Sequence, residues 1–304
     1  MGPKLLPYAY FESRLVPISE ANVSLATHGL QYGTTAFSGM RTLTEDGAVL
    51  VFRVEEHAKR LSRGAQLLNG HIETEAIQRA ILDFIEKNAP REPAYIRPFV
   101  YCAGGHPVPA LHFTEKHLGI YGLDFPNYLP DGVTMTFSSY PRVPDVCLPA
   151  RGKIGGAYWT SSAAKTEAQL RGFDDAVMLN TRGKVAEGSG MNLFLVKDGA
   201  LITPDITQDI LEGITRDSVL QMARAFGLPT EERVVDRSEL LFADEVFLSG
   251  TAAGVAWVRR IESCELPPLH PIADRLADSY QQATRGKLAG FEHWVTRVPL
   301  PVSV

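Results

Sequence analysis

A lysine, a glutamate and two hydroxyl-bearing turns are the residues of this chain whose surroundings suit chemistry. Lys153 stands in "RGKIGGAYW", residues 151 to 159, followed by Ile154, two glycines and Tyr158. A lysine beside glycines is usually an ordinary loop lysine. Its chemical alternative is an amine that condenses with an aldehyde once its surroundings suppress its charge. Glycines would then let a flat ring lie against the main chain. Glu187 closes a short strand in "KVAEGSGMN". It is either a solvated turn carboxylate or the partner of a heteroaromatic nitrogen that must stay protonated to act as an electron sink.

The two turns suit an anion. In "LEGITRDSVL", Thr215 is placed to cap a helix after Gly213, leaving amide donors and the positive dipole end for a phosphate. A well-capped helix explains that stretch equally well. In "LSGTAAG", residues 248 to 254, Thr251 follows a strand and a glycine, where it either binds an anion or only turns the chain. Each signal is weak alone. An aldehyde, a pyridinium nitrogen and a phosphate belong together in one molecule, pyridoxal 5′-phosphate.

Other chemistries lack their signatures. "EGSGMN" looks like a nucleotide loop, but the strand "NLFLV" follows it where a dinucleotide fingerprint must open a helix. The chain has no phosphate-binding P-loop, no HExxH and no GxSxG elbow. Its eight histidines show no metal-ligand spacing, so no metal is expected. His57 is read as lying on the charged face of a helix. The net charge of −5 and the lack of a basic cluster argue against nucleic acid. Three scattered cysteines form no disulfide framework or zinc motif, which points to a reducing cytoplasm. No signal peptide, membrane span or myristoylation site is visible.

The elements follow from pattern. Strands are expected in "LLPYAYFESRLV" and "AVLVFRV", with an Asp-Gly turn in "TEDGAVL". Two amphipathic helices follow: one carries Ala58, Leu61, Ala65 and Leu68 on one face and stops at Gly70, and the second carries Ile77, Ile81, Phe84 and Ile85. Strands "AYIRPFVYC" and "HLGIYGLDF" come next. A proline-rich stretch over 125 to 150 contains a further strand, and its first part reads as a linker. Beyond it lie a helix ending at Gly172, short strands, a helix closed by Gly227 and a last helix starting near Pro271. Antiparallel meanders beside helices indicate an α+β fold. The expected division is a small domain over 1–125, a linker over 126–139 and a larger domain over 140–304.

The order and spacing of these motifs resemble the fold-type-IV (D-amino-acid-aminotransferase-like) aminotransferases, most closely the branched-chain-amino-acid aminotransferases. The matching stretches are "HGLQYGTTAFSGMRT", "VFRVEEHAKRL", "AYIRP", "KIGGAY", "EGSGMNLF", "GITRD" and "ADEVFLSGTAA", which run through nearly the whole chain. The resemblance implies a two-domain enzyme with pyridoxal 5′-phosphate between the domains. Lys153 would form the imine and shuttle the proton, Tyr158 would bond the phenolic oxygen, and Glu187 would hold the ring nitrogen protonated. Arg60, Ile214, Thr215 and Thr251 would bind the phosphate. Tyr32, Phe37, Arg41, Tyr95 and Arg97 would line the substrate pocket, and the amides around Thr251, Ala252 and Ala253 would meet the substrate carboxylate.

The implied reaction transfers the amino group of leucine, isoleucine or valine to 2-oxoglutarate, in a homodimer or higher homo-oligomer whose partners are amino acids and 2-oxo acids. D-Amino acids or (R)-amines are the alternative donors. A lyase of the same fold fits "LSGTAA" and "EGSGMNLF" less well. A cofactor-storage protein would not need Tyr158 and Glu187 beside Lys153. The chain departs from the family pattern at Ser38 (commonly Glu), Ala157 (commonly Asn), Met191 (often Glu) and in the loop "CAGGHPVPALHF" over 102 to 113. It also has Asn127 in a shortened segment where a pocket Trp is usual. These departures concern the side-chain pocket.

Overall fold

A computed structural model describes residues 4–124 and 129–301. Two compact units emerge: residues 1–126, 152–156 and 282–304 form the first, and 127–151 with 157–281 form the second.

The first unit is built on an eight-stranded sheet. β1 (Tyr8–Phe11) and β2 (Arg14–Pro17) form a hairpin whose two turn residues, Glu12 and Ser13, both take positive φ. The sequence run "LLPYAYFESRLV" is thus two strands joined by a mirror-image turn without glycine. After the one-and-a-half-turn helix α1 (His28–Tyr32) come β3 (Thr35–Phe37), β4 (Met40–Glu45) and β5 (Ala48–Phe52). β4 and β5 are joined through Asp46 and Gly47, both at positive φ, the hairpin expected there.

Helix α2 (Val54–Leu67) buries Val54, Ala58, Leu61 and Ala65 on one stripe, and α3 (Thr74–Asn88) buries Ile77, Ile81, Phe84 and Ile85. The left-handed residue after α2 is Asn69 rather than Gly70. β6 (Ala94–Cys102) and β7 (Lys116–Asp124) pair along their whole length at the sheet centre.

The second unit carries a nine-stranded mixed sheet. β8 (Val133–Phe137), fully buried, runs parallel to β9 (Asp175–Leu179), which pairs with β10 (Val185–Gly188). β11 (Asn192–Lys197) pairs with β12 (Ala200–Pro204) and with β14 (Glu245–Gly250); β13 (Thr230–Arg233) lies parallel to β12. β15 (Gly254–Ile261) joins β14 to β8, with the short β16 (Cys264–Glu265) beside it. Its helices are α4 (Tyr158–Leu170), α5 (Ile214–Ala225) and α6 (Pro271–Thr284). The α+β expectation holds, although parallel pairs in this sheet break the pure meander.

The expected division at 125 and 140 differs from these units in three places. β8 makes residues 133 to 137 part of the second sheet rather than a linker. The segment 152–156 belongs to the first unit, and so does the C-terminal end, because β17 (Val295–Pro299) pairs with β5. The start of the expected linker, with Asn127, lies outside the described residues. Among the described residues no helix is long and apolar enough to cross a membrane.

Candidate active site

Lys153 occupies the left-handed region at φ 48°, a conformation costly for a residue with a Cβ and held only by its surroundings. Those surroundings are β3 and its approach. The Phe37 amide donates to the Lys153 carbonyl at 3.1 Å, and Ala36 and Ile154 form a bridge. The glycines serve this docking. A Cβ on Gly155 would lie 2.1 Å from Thr35 Oγ1, and the Gly156 amide donates to the Gly33 carbonyl at 3.0 Å. Gly155 and Gly156 therefore bring the lysine segment against its own chain.

Phe37 gathers the first unit's candidates. The Lys153 amine lies 4.9 Å from its ring centre and the Arg97 guanidinium 4.5 Å. Arg97 also lies 5.1 Å from the Tyr95 ring and donates through Nη2 to the Tyr95 hydroxyl at 3.1 Å. Its Nε is buried and has no hydrogen-bond partner among the described residues. Gly39 makes room for this pair: a Cβ there would fall 1.9 Å from the Tyr95 hydroxyl. Arg41 stands across from Tyr95 in the β4–β6 ladder. Tyr32 stands apart. Its exposed side chain donates its hydroxyl to Pro107 O at 2.7 Å, and His28 Nε2 lies 3.3 Å from Val108 O, so α1 is tied to the divergent loop.

Arg60, on α2, donates through Nη2 to Ser38 Oγ at 3.0 Å, and the same oxygen lies 2.9 Å from His57 Nδ1. His57 is only 1% exposed, which corrects its expected place on a charged face. Burial first, then the neighbouring cations Arg60, Arg53 and Lys153, hold its imidazole well below the usual histidine range. Three cations around a neutral imidazole suit an anion.

In the second unit, Glu187 is a buried carboxylate with a complete set of partners on its own side. Its Oε1 lies 2.6 Å from Arg142 Nε. Oε2 accepts from Asn192 Nδ2 at 2.8 Å and from the Leu211 amide at 3.1 Å. Asn192 Nδ2 also donates to the Leu211 carbonyl at 2.8 Å, and a Cβ on Gly213 would fall 2.0 Å from its Oδ1. Asn192 thus ties Glu187 to the entrance of α5.

Gly213, not Thr215, is the N-cap of that helix; it makes no side-chain cap bond, and Ile214 and Thr215 are the first two helical residues. Their amides belong to the first turn of the helix, at the positive end of its dipole. The Thr215 hydroxyl lies 3.3 Å from the hydroxyl of Tyr280 on α6, whose ring is 3.6 Å from the point where a Gly254 Cβ would stand. Tyr280 so links α5 to the turn of Thr251, Ala252 and Ala253 between β14 and β15. Ser249, across from Asn192 in the ladder, has a buried hydroxyl with no partner among the described residues. Tyr158 opens α4.

Sequence reasoning missed Arg142, Asn192, Ser249 and Tyr280. Of the family departures, Ala157 and Met191 are buried, and Met191 Cγ lies 2.9 Å from a Gly250 Cβ position. Among the described residues no group of His, Cys, Asp and Glu could hold a metal ion. Within the first unit, an amine on a strained turn and an anchored guanidinium suit an aldehyde and a phosphate; within the second, a salt-bridged carboxylate and a helix start at Gly213 suit a protonated ring nitrogen and a phosphate, the groups of pyridoxal 5′-phosphate.

Comparison with known proteins leads to the same chemistry. The family model for amino-transferase class IV matches residues 35–261. A probable branched-chain-amino-acid aminotransferase of Synechocystis sp. is 47% identical over 301 residues, covering 98% of this chain and 99% of that protein. The crystal structure of the Thermoproteus uzoniensis branched-chain aminotransferase with norvaline has a TM-score of 0.93 at 34% identity, covering 98% of this chain and 100% of its own. That of the T.th. branched-chain amino acid aminotransferase complexed with N-(5′-phosphopyridoxyl)-L-glutamate has a TM-score of 0.91 at 32% identity, over 97% and 99% of the two chains. Motif order, sheet architecture and full-length similarity agree, and the chain belongs to the class IV aminotransferases.

Proposed function

We propose that the protein is a pyridoxal 5′-phosphate-dependent transaminase that moves the amino group of leucine, isoleucine or valine to 2-oxoglutarate. The observation that carries this reading is the Phe37 ring packed against both the Lys153 amine and Arg97. One pocket must accept an apolar side chain in one half-reaction and a second carboxylate in the other. Phe37 and Tyr95 supply apolar surface beside the reacting amine, with Tyr158 as a third candidate, and Arg97 supplies a cation whose buried Nε has a donor to offer. Two structural relatives, one with norvaline and one with a glutamate adduct, support both demands.

Bound cofactor supplies an aldehyde that takes up the amino group and a protonated ring that accepts the electrons left at the substrate Cα. Lys153 Nζ would carry the proton from the substrate Cα to the cofactor C4′, and from C4′ back to Cα in the reverse half-reaction. Glu187, ion-paired with Arg142, would hold a proton on the ring nitrogen, and Tyr158 would donate to the phenolic oxygen. Arg60, Ile214, Thr215 and Thr251 would hold the phosphate. The amides of Thr251, Ala252 and Ala253 would orient the substrate carboxylate, while Tyr32 and Arg41 would line the substrate pocket.

The alternative donors are D-amino acids or (R)-amines, since the loop tied to Tyr32 departs from the family pattern. A panel of L-amino acids, D-amino acids and (R)-amines with 2-oxoglutarate tests both. Turnover of the three branched-chain L-donors supports the first; failure of all three with a D-donor accepted replaces it by the second.

The enzyme acts as a homodimer or larger homo-oligomer in the cytoplasm. Exposed Leu25 and Leu30 beside Tyr32 support the assembly, and three free cysteines support the compartment. Light scattering at working concentration checks the first point.

A further inference from the structure

We propose that Ser38 and His57 form a hydrogen-bond relay that fixes the Arg60 guanidinium for the cofactor phosphate, which makes both of them determinants of phosphate binding. The inference rests on the reading of Arg60 as a phosphate ligand. Arg60 Nη2 can only donate, so Ser38 Oγ accepts its hydrogen at 3.0 Å. The Ser38 hydroxyl then has a hydrogen of its own to place. Among the described residues the acceptor in reach is His57 Nδ1, at 2.9 Å. His57 is therefore the neutral tautomer with its hydrogen on Nε2, and each member of the chain donates to the next.

The surroundings keep that polarity. Ser38 is fully buried and His57 is 1% exposed, so water does not compete for the bonds. His57 and Arg60 are three residues apart on α2 and share a face. The charged groups acting on the imidazole are Arg60, Arg53 and Lys153, all cations, and with burial they oppose the protonation that would reverse the relay. An arginine has many rotamers to lose when it binds an anion. Holding it in one geometry beforehand removes that cost from the binding step. Ser38 and His57 are positioning residues, since they act through Arg60.

The test uses the full-length apoprotein and compares pyridoxal 5′-phosphate with pyridoxal, which has the same ring and aldehyde but no phosphate. Ser38→Ala and His57→Phe should each weaken pyridoxal 5′-phosphate binding by about tenfold to a hundredfold, the range for a hydrogen bond to a charged group. Pyridoxal binding should stay within about twofold of the unaltered protein. The double variant should lose no more than the worse single one, because both changes break the same chain. His57→Asn, which returns an acceptor near Nδ1, should bind as the unaltered protein does, and it carries the test with Ser38→Ala if His57→Phe does not fold. Unchanged pyridoxal 5′-phosphate affinity in Ser38→Ala, or equal weakening of both ligands, overturns the relay. Arg60→Ala serves as the reference: if it leaves pyridoxal 5′-phosphate affinity unchanged, the underlying reading of Arg60 fails as well.

Discussion

Arg142 Nε lies 2.6 Å from Glu187 Oε1, and both side chains are buried. The two residues come from a proline-rich loop and from β10, far apart in the chain. A lone carboxylate at such depth would gain a proton rather than keep its charge. With the guanidinium on one oxygen, and Asn192 and the Leu211 amide on the other, it stays an anion. An anion is what a protonated ring nitrogen needs opposite it.

Breaking the pair should therefore be expensive. Arg142→Met is expected to lose about 3–5 kcal/mol of stability, the usual cost of removing one partner of a buried ion pair. The loss should be smaller at about pH 5 than at about pH 8, because the stranded carboxylate can neutralise itself. Denaturant unfolding of the apoprotein at the two pH values measures this. A loss that does not vary with pH would mean that Glu187 finds another counter-charge.

Glu187→Gln separates electronics from binding. The amide keeps the shape and one acceptor, so the variant should retain cofactor but turn over slower by two or more orders of magnitude, as roughly expected when a preorganised charge is removed. Turnover close to that of the unaltered enzyme, at saturating cofactor, would reject the electron-sink role.

Arg97→Ala should raise KM for 2-oxoglutarate well above its effect on KM for leucine, since only the first presents a second carboxylate. Gly39→Ala should reproduce part of that bias, because its methyl would displace the Tyr95 hydroxyl that Arg97 donates to. Steady-state kinetics with both substrates decides the matter. Equal changes in the two KM values remove Arg97 from the role.

His57 predicts a pH dependence of stability. Its folded value lies well below the ordinary 6.5. Between those two values the unfolded chain holds a proton that the native protein does not. Stability should therefore fall as pH drops below about 6.5 and owe nothing to this group above it. His57→Asn should flatten the fall seen by urea unfolding of the apoprotein. Identical profiles for the two proteins would contradict this.

Much of this was legible in the sequence, for reasons that differ by residue. Pro271 marks the start of α6 because proline suits a first helical turn, and Gly172 and Gly227 sit at positive φ after α4 and α5, where glycine is favoured. Local rules also singled out Lys153, Glu187 and Thr251. They misplaced His57, although it falls three residues after Val54 and four before Leu61 on the buried stripe of α2; its polar type outweighed its spacing.

Local rules had no access to the pairing of Arg142 with Glu187, or to the reach of Tyr280 from α6 to Thr215, because both contacts join distant segments. The return of β17 to β5 was hidden in the same way. The cap of α6 is another case: Glu245 on β14 accepts from the Ile272 and Ala273 amides.

Borohydride reduction of the holoenzyme, followed by peptide mass mapping, shows whether Lys153 carries the cofactor. A phosphopyridoxyl adduct is expected on the peptide that contains Lys153, and no covalent adduct in Lys153→Ala. An adduct on any other lysine of the unaltered enzyme, or one that persists in Lys153→Ala, would contradict it.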